Sequence, residues 1–216
     1  MVLDRVVVAA LTGKSSALDL TAWRRLTPKW DDWATMRRST VRFISYPRTE
    51  PPPEFAQPVV EQFRSVESSI ATEHLAKGLT SDKVLQFVRP GLQDLGFFVE
   101  TGKERAQTIE RPVFFGEQGV PTLRYRIDAY HQEWHCGLEV EAGRAWMGNA
   151  VYRDLIQALV MVQVDHLILA VPNGYKYKTG GRTAISTDFK NTCAVAEALY
   201  GHSRITLPYG LTVIGY

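Results

Sequence analysis

The chain has 216 residues, of which 45% are hydrophobic and 22% charged, and its net charge is +2. This is the composition of an ordinary globular protein, and the length is sufficient to bury a substantial core. The small net charge excludes a chain that attracts polyanions over its whole surface. It still allows a local basic surface that is offset by the acids of a metal site.

The cysteine content and the apolar runs bear on the cellular setting. Two cysteines, Cys136 and Cys193, do not make a disulfide framework. The apolar run Val6–Leu11 is too short to span a membrane and has no basic leader before it. We therefore expect a reducing, cytoplasmic setting with no membrane partner.

The proline-rich segment Pro47–Pro53 interrupts regular structure, because each proline lacks a backbone donor and restricts the residue before it. Ahead of this segment, strands are predicted at Val6–Leu11 and Val41–Ser45. We expect residues 1–216 to form a single domain. Its parts would be an N-terminal elaboration with linker, a core and a C-terminal elaboration, at 1–57, 58–171 and 172–216.

The core begins with a predicted helix from Pro58 to Lys77. Its apolar residues follow one stripe, at Val59, Phe63, Val66 and Ile70. Glu73 is the next position on that stripe. Either the helix end turns to solvent there, or the helix presents a carboxylate to the sheet. Glu67, on the adjacent row, is the competing choice.

A second helix is predicted after Thr80-Ser81, which offers an N-cap, and its apolar stripe is formed by Leu85, Val88, Leu92 and Leu95. Pro90 should kink or split this helix, and Gly96 should end it. A strand is predicted at Phe97–Glu100.

The most informative segment is a predicted hairpin of two strands, Leu123–Ala129 and Cys136–Glu141. Side chains alternate between the two faces of a strand. With an antiparallel pairing and an even-length loop, Asp128, Glu139 and Glu141 lie on the same face. Their nearest separations would be roughly 5–8 Å, so the three acids could form a magnesium site.

A second interpretation of this hairpin needs no metal. If the turn is centred on Gln132-Glu133, Arg126 falls opposite Glu139 and Arg124 falls opposite Glu141. Two cross-strand Arg–Glu pairs would then account for every charge in the hairpin except Asp128.

A crossover unit follows the hairpin. A helix is predicted after Asn149, and His166–Val171 is a near-continuous apolar run that is typical of a strand buried on both faces. The strands on either side of the helix should be parallel, with a right-handed connection. The tail is predicted to hold a basic loop, a helix and a final strand, near Tyr175–Arg182, Asn191–Tyr200 and Leu211–Gly215.

The order α-β-β-β-α-β, with Asp128 on the second strand and Glu139-Val140-Glu141 on the third, resembles the PD-(D/E)XK nuclease superfamily. Glu141 stands where that pattern has lysine, which resembles the Glu-x-Glu variant of some restriction endonucleases. The resemblance covers roughly Pro58–Val171. It implies an α/β fold with a restriction-endonuclease-like core (αβββαβ), whose mixed central sheet is flanked by helices.

The resemblance also implies a function, namely metal-dependent hydrolysis of DNA phosphodiester bonds with Mg²⁺, or Mn²⁺ in its place. Asp128 and Glu139 would bind the metal, and Glu73 would complete its shell from the helix. Glu141 would bind or orient the attacking water, as the third catalytic residue beside Asp128 and Glu139.

The expected partner is DNA, and several cations are candidates to bind it, namely Arg144, Arg153, Lys176, Lys178 and Arg182. A homodimer is expected by analogy, since cutting both strands commonly uses two such sites. The alternative is a nuclease-fold protein without catalysis, serving as a DNA-binding or assembly subunit.

Overall fold

The computed structural model describes residues 39–71, 77–143, 145 and 149–216. Its strands are β1 (Arg42–Tyr46), β2 (Phe98–Val99), β3 (Ile109–Phe115), β4 (Pro121–Ile127), β5 (Ala129–His131), β6 (Cys136–Val140), β7 (His166–Val171), β8 (Lys176–Thr179), β9 (Arg182–Ile185) and β10 (Gly210–Gly215). Its helices are α1 (Ala56–Ser65), α2 (Glu67–Ile70), α3 (Ser81–Asp94), α4 (Ala150–Val160) and α5 (Asp188–Gly201). The predicted strand Val6–Leu11, Glu73 and Arg144 lie outside the described residues.

A mixed six-stranded sheet in the order β1-β10-β7-β6-β5-β2 forms the centre of the fold. The pairs β10–β7 and β7–β6 are parallel, and the remaining pairs are antiparallel. Along the chain, α3, β2, β5, β6, α4 and β7 follow the predicted αβββαβ order. The mixed α/β class and the parallel pairing across the crossover are therefore confirmed.

Helices cover both faces of this sheet. On one face α1 and α3 bury apolar side chains against the strands, including Phe63, Leu85, Leu92, Leu138 and Ile168. On the other face α4 and α5 form a second core, which includes Val151, Leu155, Phe189, Leu167 and Leu169. Every residue of β7 is buried, because a parallel strand with helices on both faces has no solvent side.

The first predicted helix, Pro58–Lys77, is shorter than expected. It is divided into α1 and α2 by Val66, whose φ/ψ of −113°/11° is not helical. The Glu67 carboxylate accepts hydrogen bonds at 2.6 Å from Ser39 Oγ and from the Thr40 backbone N–H. These bonds tie the segment before β1 to the start of α2, so Glu67 has a structural role.

The second predicted helix forms largely as expected. Thr80 Oγ1 accepts a hydrogen bond from the Lys83 N–H at 3.3 Å, and Gly96 follows the helix with φ of 97°. Of the two expected effects of Pro90, a kink or a split, the split does not occur, because α3 runs unbroken from Ser81 to Asp94. The buried side chains on both sides of Pro90, Val88 and Leu92, hold the helix against the core and offset the missing backbone bond.

The predicted strand Leu123–Ala129 is also wrong in part. The chain bends at Asp128, so β4 and β5 are separate strands. Ile127 packs into the core under α4, whereas Ala129 packs into the core under α3. Because of this bend, β4 leaves the central sheet and pairs with β3 in a two-stranded ribbon.

The C-terminal region contains one further difference. The predicted basic loop Tyr175–Arg182 is largely a hairpin, formed by β8 and β9. The final helix and strand are present as α5 and β10, and β10 lies between β1 and β7. Among the described residues, none of the helices is long and apolar enough to cross a membrane.

Candidate active site

Asp128 lies just before β5 and Glu139 lies near the end of β6, and both residues line one cavity. Ala129 and Leu138 form the last pair between β5 and β6, Asp128 and Glu139 adjoin that pair, and the charge of Asp128 acts on Glu139. Asp128 Oδ2 accepts a hydrogen bond from the Val140 N–H at 2.9 Å, which fixes the orientation of this carboxylate. Glu139 is 8% exposed. The structure therefore brings these two sequence-predicted acids together.

A third acid, Glu100, lies next to Asp128 at the end of β2. The Glu100 N–H donates to the Asp128 carbonyl oxygen at 2.8 Å, and the Glu100 side chain is buried. Lys103 Nζ lies 2.6 Å from Glu100 Oε1 and 3.0 Å from Asp82 Oδ1. Glu100 and Lys103 are not among the predicted site residues, because a charged residue at a strand end is usually solvated.

Glu141 and Asp154 meet at Arg153, near the start of α4. Arg153 donates to Glu141 Oε1 at 2.8 Å and to Asp154 Oδ1 at 2.9 Å. Asp154 is 2% exposed, and its Oδ2 has no hydrogen-bond partner among the described residues. A signal for Asp154 was present in the sequence, since it stands between Val151 and Ala158 on the apolar stripe of α4.

The interpretation with two cross-strand Arg–Glu pairs is wrong. Arg126 pairs in register with Glu110 of the ribbon, and Arg124 pairs with Pro112. Arg124 Nη1 is 3.6 Å from Glu110 Oε2. The bend at Asp128 moves both arginines off the sheet, so Arg153 is the cation that contacts Glu141.

Five acids thus form an acidic cluster around the end of β6, namely Glu100, Asp128, Glu139, Glu141 and Asp154. Burial raises the pKa of Asp128 to about 7, and the neighbouring Glu100 and Glu141 add to the rise. Burial also raises the pKa of Asp154 to about 8, with Glu141 contributing. The pKa of Glu139 is raised well above its usual range by burial and by the charges of Asp128 and Asp154. Like charges in a poorly hydrated site disfavour ionisation in this way.

The acidic cluster opens onto a cavity of about 430 Å³. Its acidic lining is formed by Glu100, Asp128, Glu139 and Asp154. Cations and an amide complete the polar lining, at Lys103, Arg124, Arg126, Arg153 and Gln157. Acids beside cations can bind a metal ion and a phosphate in one place.

The chemistry of this donor set fits a hard divalent cation, which prefers carboxylate oxygens. The raised pKa values and the unpartnered Asp154 Oδ2 both indicate a surplus of negative charge that a cation would neutralise. As the described side chains stand, however, no three His, Cys, Asp or Glu residues converge as a ready ligand group.

The predicted DNA-binding residues fall in different places. Arg153 lines the cavity, whereas Lys176, Lys178 and Arg182 lie on the β8–β9 hairpin. This hairpin starts close to the site, because the Tyr175 ring before it packs against Gly143, two residues beyond Glu141.

Comparisons with known proteins add little to this geometry. A scan against models of known protein families finds no match, and a search of curated proteins finds no relative. A search of solved structures finds the restriction endonuclease BglII in complex with a DNA 16-mer. The match has 9% sequence identity and a TM-score of 0.43, and it covers 82% of this chain and 76% of that one. Likeness at this level is silent on activity, so the function must follow from the side chains described above.

Proposed function

We propose that this chain is a metal-dependent deoxyribonuclease of the restriction-endonuclease-like type, which hydrolyses phosphodiester bonds in DNA. The observation that carries this proposal is the juxtaposition of Asp128 with the buried Glu139, at a cavity that four cations also line. The αβββαβ order and the Glu139-Val140-Glu141 spacing support membership of the PD-(D/E)XK superfamily, in its Glu-x-Glu variant.

The roles of the residues follow from their positions. Asp128 and Glu139 would hold Mg²⁺ or Mn²⁺, which when bound supplies a Lewis acid and lowers the pKa of a coordinated water. Glu141 would orient the attacking water, while Arg153 holds the Glu141 carboxylate in place. Arg153 would also contact the phosphate, since guanidinium groups donate in a geometry that matches its oxygens.

A plasmid-nicking assay tests this proposal. Wild-type protein with Mg²⁺ or Mn²⁺ should nick supercoiled DNA, and EDTA should stop the reaction. Asp128→Asn and Glu139→Gln should each reduce the rate by more than about 100-fold, because each removes a carboxylate that holds the metal. The exposed turn residue Glu133 provides the matched control, and Glu133→Gln should nick at the wild-type rate. Equal nicking by all four proteins would remove the assignment.

One observation favours a second candidate function. Arg153 already neutralises Glu141, and no three ligands converge among the described side chains. A nuclease-fold protein without catalysis, serving as a DNA-binding or assembly subunit, would have such a site. Wild-type protein would then bind DNA in a mobility-shift assay but would not cut it with Mg²⁺ or Mn²⁺.

The proposed enzyme would act as a homodimer if it cuts both strands, since each chain supplies one acidic cluster. Sedimentation of the protein with and without DNA measures this directly. A monomer that only nicks one strand would limit the proposal to single-strand cleavage.

A further inference from the structure

The β3–β4 ribbon, residues 109–127, carries features that the proposed catalytic residues do not explain. Its base is fixed to the body of the fold. The Val162 N–H donates to the Pro112 carbonyl oxygen at 2.8 Å, and Arg111 donates to the Val162 carbonyl oxygen at 3.0 Å. The Arg111 guanidinium also lies 3.9 Å from the centre of the Tyr130 ring. The base of the ribbon is therefore held beside the cavity.

The tip of the ribbon, by contrast, exposes large apolar side chains. Phe114 is 62% exposed and Phe115 is 53% exposed. Val120 and Leu123 are also exposed on the same ribbon. Several large apolar groups that share one exposed projection mark a binding surface more often than a solvated one.

Between the base and the tip, Arg124 and Arg126 line the cavity. Arg126 has no ion pair with another described residue, and Arg124 has only the 3.6 Å contact with Glu110. Phe114 pairs in register with Leu123, three residues before Arg126. The Phe114 backbone is therefore about 10 Å along the ribbon from Arg126, the length of about three stacked nucleotides. By alternation the Phe114 side chain lies on the face opposite to Arg124 and Arg126, so a bound strand would pass around the ribbon from one face to the other.

The distribution of cations along the ribbon indicates which part of a nucleic acid its tip could contact. Residues 112–123 contain no lysine or arginine, and Glu117 lies at the turn. A tip inserted between the phosphates of a duplex groove would need cations, so this tip does not suit a paired duplex. Exposed phenyl rings can stack on unpaired bases of any sequence, because every base has a flat π-face.

We propose that the ribbon binds unpaired nucleotides of the strand whose phosphate enters the cavity. Arg124 and Arg126 contact phosphates beside the acidic cluster. Phe114 and Phe115 stack on the bases that follow. This inference rests on the proposed nuclease function, and it narrows the substrate to DNA with single-stranded or frayed nucleotides next to the cleaved bond.

Binding of labelled oligonucleotides tests the proposal without cleavage. The measurements use the full chain with Asp128→Asn, whose side-chain oxygen can still accept the Val140 N–H bond. Fluorescence anisotropy compares a blunt duplex with the same duplex carrying a single-stranded tail. In this background, Phe114→Ala with Phe115→Ala should weaken binding of the tailed duplex about tenfold or more and leave the blunt duplex unchanged.

The arginines should behave differently from the phenyl groups. Arg126→Gln should weaken binding of both duplexes and lower the salt dependence by about one phosphate contact. Arg204→Gln and Ile205→Ala, which change a cation and an exposed apolar residue in the loop after α5, are the matched controls. Both should bind like the parent.

The outcomes separate this proposal from the proposed function. If the tailed duplex binds the phenylalanine variant as tightly as the parent, the ribbon proposal fails, while nicking by wild-type protein keeps the nuclease proposal. If the phenylalanine change weakens blunt and tailed duplexes equally, the ribbon does not select unpaired bases and the proposal also fails. If the parent binds no oligonucleotide and wild-type protein nicks no plasmid, both proposals fail.

Discussion

Strands β6 and β7 are parallel neighbours, both entirely buried, yet they serve different ends. Glu139 of β6 pairs in register with Leu169 of β7, so the two side chains occupy equivalent positions on the same face of the sheet. Leu169 is enclosed by the core under α4 and α5, whereas Glu139 borders the cavity. At this position β7 stabilises the fold through a buried leucine. β6 instead places a carboxylate in a poorly hydrated environment, at the proposed active site.

The largest expected effect on stability comes from truncating Leu169, the apolar member of this pair. Leu169→Ala should lower the free energy of unfolding by about 2–5 kcal/mol, because it removes fully buried methyl groups and leaves a cavity. Urea denaturation followed by circular dichroism measures the change. Leu159→Ala, at a half-exposed position of α4, is the control and should cost far less. Equal losses for the two variants would show that β7 does not dominate the stability.

The acids next to Glu139, Asp128 and Asp154, predict an unusual pH dependence of stability. The pKa values of Asp128 and Asp154 in the folded state are about 7 and about 8, far above the usual value of 3.8. At a pH between the unfolded-state pKa and the folded-state pKa, each of these carboxyl groups is protonated in the native state and ionised in the unfolded state. Stability of the metal-free protein should therefore fall steadily as pH rises from about 4 to about 8.

Urea unfolding at pH 5 and at pH 8 in the presence of EDTA checks this dependence. Mg²⁺ should then stabilise the protein more at pH 8 than at pH 5, because protonated carboxylates bind a cation poorly. A stability that rises steadily across this range would contradict the assignment of raised pKa values.

The smallest expected effect is a gain in stability at the cost of function. Glu139→Gln should raise the free energy of unfolding by about 1–2 kcal/mol at pH 8 in EDTA, since it removes a buried charge next to Asp128 and Asp154. At pH 4 the two proteins should be equally stable, because Glu139 is then protonated in both the folded and the unfolded state to a large extent. Thermal melts of the two proteins at both pH values test this. A loss of stability at pH 8 would mean that the carboxylate is paired rather than repelled.

Much of the central fold followed from local patterns. The apolar run of β7 predicted a strand buried on both faces, and the helix between β6 and β7 predicted their parallel pairing. The cap at Thr80 and the turn at Gly96 were also predicted, because each depends on the chemistry of a few adjacent residues.

The candidate site was predictable only in part. Asp128 and Glu139 were expected on one face, and the structure brings them together. Arg124 and Arg126 were expected either to pair with Glu139 and Glu141 or to leave them free, and only the bend at Asp128 decided the matter. A bend of one residue reverses the faces of a strand, and alternation of side chains cannot reveal it.

By itself, the sequence determined the αβββαβ order and the spacing of the acids, since both depend on periodicity along short segments. The tertiary structure decided which cation contacts Glu141, and it added Glu100 and Asp154 to the acidic cluster. It also placed the β3–β4 ribbon against the cavity. These features depend on contacts between residues far apart in the chain, where burial and neighbouring charge, rather than local pattern, set the geometry and the pKa values.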